Sequence, residues 1–145
     1  MKFSILSAPL DLGIGGLISL HQLAEDLRGL GHTAQAGLDY LPDSIAIYPE
    51  IFKGNPWGAK VVVRWLLSEV GVCGPVHTYP ASDIIYKFCK DYKVPEGLVS
   101  SGILSNIRDL SHFVDQGLPR KGECCLVRKG AWKVKEPYAH HPDSM

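Results

Sequence analysis

The sequence lacks a net charge. Its 15 lysine and arginine residues are matched by 15 aspartate and glutamate residues, so the formal charge at neutral pH is zero. Proteins that bind nucleic acids usually carry an excess of positive charge, because phosphate contacts supply much of their affinity. We therefore expect no nucleic-acid partner.

Long apolar runs are also absent. No stretch approaches the roughly 20 apolar residues that cross a bilayer, so the sequence predicts no membrane-spanning segment. The N-terminus has the pattern of a strand with one lysine. It lacks the basic region and the apolar run of a secretory signal peptide.

Cysteines are few, and their spacing excludes the common metal and redox motifs. No two cysteines form a C-x-x-C pair, and none lies at zinc-site spacing from a histidine pair. The adjacent His140 and His141 would point to opposite sides of an extended chain, which makes a poor metal site. We expect reduced thiols, a cytoplasmic protein and no metal. The cysteines are Cys73, Cys89, Cys124 and Cys125.

The apolar patterns predict alternating strands and helices. The 145 residues suit one domain, and an apolar content of 46% is enough for a buried core. Short apolar runs predict strands, and apolar stripes that end at Gly31 and Gly71 predict helices. We expect strands over residues 2–6, 33–38, 44–48, 98–104 and 123–129 and at the start of the ambiguous segment 83–92. Helices are expected over 17–30 and 59–70, and a short irregular turn or helix over 107–114.

This order of elements indicates the fold class. A strand, a helix and further strands after a glycine turn favour a parallel sheet. We therefore predict an α/β fold, a Rossmann-like three-layer domain with a mostly parallel sheet, over residues 1–130. Beyond Gly130 the chain turns polar, so residues 131–145 are expected to be a polar tail or the start of an interdomain linker.

A glycine-rich turn follows the first predicted strand. Gly13, Gly15 and Gly16 allow positive φ angles and leave room for a ligand near the main chain. The helix after them would direct its free N–H groups and positive dipole end into the turn, which suits a phosphate or carboxylate. The dinucleotide pattern G-x-G-x-x-G is incomplete, because position 18 is Ile18. The alternative is a tight strand–helix turn without a ligand.

A second group of polar side chains follows the predicted strand at 44–48. Ligands of open α/β sheets bind at the carboxyl ends of the strands, where Tyr48, Glu50 and Asn55 would lie. Glu50 is the candidate catalytic residue, since a carboxylate there can act as a general base or bind hydroxyl groups. The alternative is that Glu50 is a solvated loop residue.

The last quarter of the chain is rich in basic residues around Trp132. These residues could form an anion site or the edge of a nucleotide pocket, and the alternative is a solvated face or linker. The basic residues are Arg120, Lys121, Arg128, Lys129, Lys133 and Lys135.

Three stretches resemble the N-terminal half of glycosyltransferases with the GT-B fold. The first, residues 8–30, is a glycine-rich turn that leads into a helix, and Gly31-His32 follows this stretch. The second combines Tyr-Pro-Glu within 45–51, Gly-Asn-Pro at 54–56 and Val-Arg-Trp-Leu-Leu within 62–67, as in a group of bacterial and viral glycosyltransferase-like proteins. The third, residues 124–130, resembles a late strand of the same half.

The resemblance implies a fold and a reaction. In that family two Rossmann-like domains face each other across a cleft, the first binding mostly the acceptor and the second the nucleotide-sugar. It implies that Gly13, Gly15 and Gly16 lie near the donor diphosphate. It also implies that the substrate-binding residues include Tyr48, Glu50, Asn55, Arg128 and Lys129. A nucleotide-sugar would serve as co-substrate, with a saccharide or another hydroxyl compound as acceptor, and no metal or other cofactor.

The resemblance covers only the first of the two domains of the family. No second Rossmann pattern and no acidic donor-binding motif follow in this sequence. We therefore expect the chain to need a C-terminal partner domain for sugar transfer and to expose an apolar surface that could form a homo-oligomer. Two alternatives stay open, namely a stand-alone Rossmann-like nucleotide-binding domain and a non-enzymatic assembly module.

Overall fold

A computed structural model describes residues 1–106 of the chain. Within them a single helix, α1, spans Gly15–Gly29 between the first two strands. The strands are β1 (Lys2–Leu6), β2 (Thr33–Gly37), β3 (Ile45–Pro49), β4 (Val62–Leu66), β5 (Ile84–Lys87) and β6 (Ser100–Ile103).

All six strands form one parallel sheet. Their order is β2-β1-β3-β4-β5-β6, and every neighbouring pair is parallel. The inner strands of a parallel sheet are buried on both faces, which explains why β1, β3 and β4 appear in the sequence as short, mostly apolar runs. The sheet with its helix confirms the predicted Rossmann-like α/β class.

Helix α1 forms where its apolar stripe predicted it. Leu20, Leu23 and Ala24 are buried against the sheet. After the helix, Gly31 takes a φ of 82°, which glycine adopts without the strain that a Cβ would add. The N–H of Gly31 donates to the carbonyl of Arg28 and that of His32 to the carbonyl of Leu27. This Schellman motif satisfies the last carbonyls of the helix.

The predicted helix over residues 59–70 is wrong. Strand β4 lies there instead and pairs with β3 and β5. Because β4 is buried on both faces, it carries apolar side chains at consecutive positions, which imitate a helical stripe. The β-branched Val62 and Val63 favour the strand.

The two faces of the sheet are covered differently. On one face α1 packs on β2 and β1, and the apolar cluster that it joins extends along the sheet through Ile5, Ile47 and Trp65. On the other face, Tyr48 and Ala59 belong to a cluster that includes aromatic residues of the connecting segments. A third cluster contains Leu66, Tyr79 and Ile85. In the described residues, connecting segments rather than a helix cover this second face. We call the first the helix-covered face and the second the loop-covered face.

Several predictions from the sequence lie outside the described residues. They are the strand at 123–129, the segment 107–114 and the boundary at residue 130. The basic residues from Arg120 to Lys135, including Arg128 and Lys129, lie there too, as do Cys124, Cys125, His140 and His141.

Candidate functional site

The strand order has a switch point between β1 and β3, and we call the space at the carboxyl ends of these two strands the carboxyl-edge crevice. β1 pairs with β2 on one side and with β3 on the other. The chain leaves β1 towards α1 on one face, and it leaves β3 into the segment 50–61, which packs on the other face. The point where connections diverge in this way is where open α/β sheets bind ligands.

The first wall of the crevice is the turn between β1 and α1. Ser7 is buried, and its N–H donates to the carbonyl of Gly37 at 3.1 Å, which ties the turn to the end of β2. The side chain of Asp11 accepts a bond from the N–H of Gly13 at 2.8 Å. His21 of α1 lies 3.0 Å from the carbonyl of Ala8, measured from Nε2. The turn is therefore fixed by its own bonds.

Helix α1 begins without a side-chain cap. Its N-cap residue is Ile14, whose side chain cannot accept a hydrogen bond, and no acidic residue lies in the first turn. The first N–H groups of a helix have no partner within the helix and carry partial positive charge. Gly15 and Gly16 are the first two helical residues, so the positive end of α1 adjoins the crevice.

The glycines of this turn do not adopt the conformation that we expected. None of Gly13, Gly15 and Gly16 has a positive φ angle. A Cβ at Gly13 would lie 3.2 Å from Oδ1 of Asp11, whereas a Cβ at Gly16 would meet only Cδ1 of Leu67, at 3.8 Å. Backbone freedom therefore does not explain these glycines, and their role in leaving room for a ligand stays a prediction.

Glu50 lies at the end of β3, on the other side of the crevice. It is only 6% exposed. Its Oε2 accepts a bond from the N–H of Leu67 at 3.0 Å, and its carbonyl accepts one from the hydroxyl of Tyr79 at 2.7 Å. Leu67 also neighbours Gly16, so the glycine turn and Glu50 adjoin the same residue. The expectation of a solvated loop residue is wrong.

Tyr48 and Asn55 form a hydrogen-bonded pair on the loop-covered face. The buried Tyr48 donates from its hydroxyl to Oδ1 of Asn55 at 2.9 Å and accepts from the N–H of Trp57 at 3.2 Å. Asn55 also binds both the N–H and the carbonyl of Ala59, at 3.0 and 2.8 Å. Burial raises the pKa of the Tyr48 hydroxyl above its ordinary value near 10. The pair shapes segment 50–61, and its contact with a substrate stays a prediction.

Arg64 is a buried residue whose role the sequence analysis missed. It is fully buried on β4, and its Nε donates to Oδ2 of Asp83 at 2.8 Å. The remaining guanidinium nitrogens donate to the carbonyls of Phe52 and Gly54. A helix over residues 59–70 would have left Arg64 outside its apolar stripe. A single arginine inside the apolar run 62–67 was the available signal, because a buried charge requires a partner.

The guanidinium of Arg64 also lies between two aromatic rings. Its central carbon is 4.8 Å from the ring centroid of Tyr48 and 5.0 Å from that of Tyr79. Burial raises the pKa of the Tyr79 hydroxyl above its ordinary value, although Arg64 acts in the opposite direction. The pair Arg64–Asp83 thus holds together the segment that follows β3 and the residue that precedes β5.

The turn itself presents apolar side chains to solvent. Leu10, Leu12 and Ile14 are between 49% and 77% exposed, although apolar side chains gain free energy when they are buried. Large exposed apolar patches commonly mark surfaces that meet another molecule.

Comparisons with protein-family models, curated proteins and solved structures find no match to this chain. In residues 1–106 no helix is both long and apolar enough to cross a bilayer. The same part of the chain holds no cluster of three or more His, Cys, Asp or Glu side chains arranged for a metal ion.

Proposed function

We propose that this chain is the acceptor-side half of a GT-B-type glycosyltransferase and that its carboxyl-edge crevice contacts the donor diphosphate. The uncapped first turn of α1 carries the proposal, because it directs peptide N–H groups to the point where the strand order diverges. Glu50 adjoins the same point through Leu67. The motifs at 45–67 supply the resemblance to the family.

The reaction moves a sugar between two oxygen atoms. A hydroxyl oxygen of the acceptor forms a bond to the anomeric carbon, and the bond from that carbon to the donor diphosphate breaks. The negative charge that develops on the diphosphate is stabilised by the N–H groups of Gly15 and Gly16. Glu50 is the candidate for holding the acceptor hydroxyl or taking its proton, with its Oε2 oriented by the N–H of Leu67.

The exposed apolar side chains of the glycine turn also support the proposal. In the resembling family a second Rossmann-like domain closes over the carboxyl edge of the first. The exposed Leu10, Leu12 and Ile14 lie in the turn on that edge. Contact with a second domain would remove this apolar surface from water.

Nucleoside diphosphate titration tests the diphosphate contact. With uridine, guanosine and adenosine diphosphates added to the ¹⁵N-labelled chain, we expect amide resonances of residues 13–17 to shift, with a Kd on the order of millimolar for half a site. The variant Ile14→Asp supplies the missing cap and a negative charge. It should preserve the helix and weaken diphosphate binding by about fivefold or more.

Val99→Asp is the matched control for added charge, because Val99 is 84% exposed and precedes β6, at the other end of the sheet. This variant should bind the diphosphate as the unmodified chain does. The proposal fails if no diphosphate shifts residues 13–17, or if Ile14→Asp binds as tightly as Val99→Asp.

One observation favours the alternative of a stand-alone nucleotide-binding domain. Asp39 is exposed and lies two residues beyond the carboxyl end of β2, the strand that pairs with β1. An acid at this place binds ribose hydroxyls in dinucleotide-binding domains. Under this alternative Asp39→Asn should weaken the binding of uridine diphosphate but not that of inorganic pyrophosphate. Equal affinities for the variant and the unmodified chain would contradict it.

A further inference from the structure

A concave site lies at the amino edge of the sheet, whereas the glycine turn lies at the carboxyl edge. Its volume is about 450 Å³, within the range of small-molecule sites. It is formed where the chain enters β3 and β4. The residues that the argument uses are Tyr40, Pro42, Asp43, Ile45, Lys60 and Val61.

Aromatic contacts fix one wall of this amino-edge cavity. The rings of Tyr40 and Trp57 are 5.4 Å apart between centroids and are tilted by 31°. The indole N–H of Trp57 donates to the carbonyl of Leu38 at 3.2 Å, which joins the segment after β2 to the segment after β3. The Tyr40 hydroxyl donates to the carbonyl of Ser44 at 3.0 Å. Tyr40 therefore has a set position before any ligand binds.

A buried serine fastens the same wall to the sheet. Ser4 of β1 has no exposed surface, and its Oγ lies 2.8 Å from Oγ of Ser44. The same Oγ accepts the N–H of Leu41 at 2.9 Å. Binding to a preformed cavity avoids much of the entropy that ordering its walls would require.

A carboxylate and an ammonium group lie together at this cavity. Nζ of Lys60 is 3.5 Å from Oδ1 of Asp43, and the two side chains are 89% and 79% exposed. An ion pair that is so well hydrated contributes little to stability, so a ligand can separate it at low cost. Asp43 also has a φ of 57°, a left-handed conformation that aspartate tolerates better than most residues.

The chemistry of this pair selects the class of ligand. A carboxylate only accepts hydrogen bonds and an ammonium only donates them, whereas a hydroxyl group does both. Two neighbouring hydroxyls can therefore bind Asp43 and Lys60 together without adding a charge to a neutral site. Ile45, Val61 and Tyr40 offer apolar surface for the C–H groups of such a molecule.

We propose that the amino-edge cavity binds one neutral sugar ring, with adjacent hydroxyls on Asp43 and Lys60 and its C–H surface on Tyr40 and Ile45. This site lies at the opposite strand ends from the proposed diphosphate contact. It goes beyond the transfer reaction, because it holds a saccharide away from the reacting centre. The proposed sugar site does not depend on the proposed transfer reaction.

Titration with methyl glucoside, methyl galactoside and methyl mannoside tests the proposal on the ¹⁵N-labelled chain. At least one should shift amides of residues 40–45 and 58–61, with a Kd on the order of millimolar, as suits a ligand of about a dozen atoms. Asp43→Asn and Lys60→Met should each weaken binding about tenfold. Asparagine keeps the tolerance for a left-handed backbone, so the turn is preserved.

Lys53→Met is the matched control, since Lys53 is exposed and does not line the cavity. It should bind the glycoside as the unmodified chain does. The proposal is overturned if no glycoside shifts these amides, or if Lys60→Met and Lys53→Met bind equally. It is also overturned if zwitterionic leucine shifts the amides and the glycosides do not. Diphosphate binding is read at residues 13–17, so either proposal can fail alone.

Discussion

The two faces of the sheet bury their side chains with different kinds of contact, as two neighbouring residues of β4 show. Trp65 points to the helix-covered face, where its ring packs in an apolar cluster and its indole N–H donates one bond, to the carbonyl of Leu104 at 2.7 Å. Arg64 points to the loop-covered face and is equally buried, but it holds an ion pair and two carbonyls. Both side chains have no exposed surface.

The difference follows from what covers each face. A helix satisfies most of its own backbone N–H and carbonyl groups, so α1 can bury a face that is apolar except for Ser19. Connecting segments leave backbone groups unpaired, and these need side-chain partners when they are buried. Arg64, Asn55 and Tyr79 provide such partners to segment 50–61. The loop-covered face should therefore be sensitive to the loss of polar atoms, and the helix-covered face to the loss of volume.

Removing the arginine should have the largest effect. Arg64→Met leaves the buried Asp83 carboxylate and the carbonyl of Phe52 without their partner, and we expect a loss of about 4 kcal/mol in unfolding free energy. Urea unfolding measures it. Adding Asp83→Leu should restore part of the loss, because the unpaired charge is then gone.

Arg28→Met is the matched control on the surface. Arg28 pairs with Glu25 at 2.5 Å and donates to the carbonyl of Ala34 at 2.6 Å, but the paired side chains are 43% and 68% exposed. We expect its loss to cost about 1 kcal/mol or less. Equal losses for Arg28→Met and Arg64→Met would contradict a structural role for the buried pair.

Removing volume from the helix-covered face should have the next largest effect. Leu20 is 2% exposed between α1 and the sheet, so Leu20→Ala should lower the unfolding free energy by about 3 kcal/mol through lost burial and a cavity. Leu30→Ala is the control, because Leu30 is 73% exposed, and its effect should stay within about 0.5 kcal/mol. Similar losses for both variants in urea unfolding would show that α1 does not form this core.

The same comparison explains which parts of the molecule the sequence predicts. Helix α1 was predictable because Leu20, Leu23 and Leu27 repeat at helical spacing and Gly31 ends the stripe. Strand β4 was not, because burial on both faces removes the alternation that marks a strand. A strand of only five residues within a longer apolar segment gives too little pattern to distinguish it from part of a helix.

The candidate site shows the same limit. The position of the glycine turn before α1 follows from local sequence, and the structure places it there. The bond between Glu50 and Leu67 and the pair Arg64–Asp83 join segments 17 and 19 residues apart. Such contacts depend on strand order, which single-sequence patterns do not specify. The loop-covered face is therefore the part that sequence reasoning described least well.

The smallest expected effect concerns the tyrosines beside Arg64. Burial raises the pKa of Tyr48 and of Tyr79 above 10, so the unfolded chain loses these protons at lower pH than the folded one. The stability that they contribute is complete below about pH 10 and is lost as the pH rises through the folded values. Tyr79→Phe should lower stability by about 1 kcal/mol at neutral pH through its lost hydrogen bond and should make the alkaline decline shallower.

Ile47→Val on the helix-covered face is the control for this decline. Ile47 is 4% exposed and lies in an apolar cluster, so the variant should cost about 1 kcal/mol at every pH. Unfolding free energies between pH 7 and about pH 11 should then give a curve parallel to that of the unmodified chain. If Tyr79→Phe gives the same parallel curve, the buried tyrosine does not link stability to pH. The two faces would then differ in their hydrogen bonds but not in their protonation.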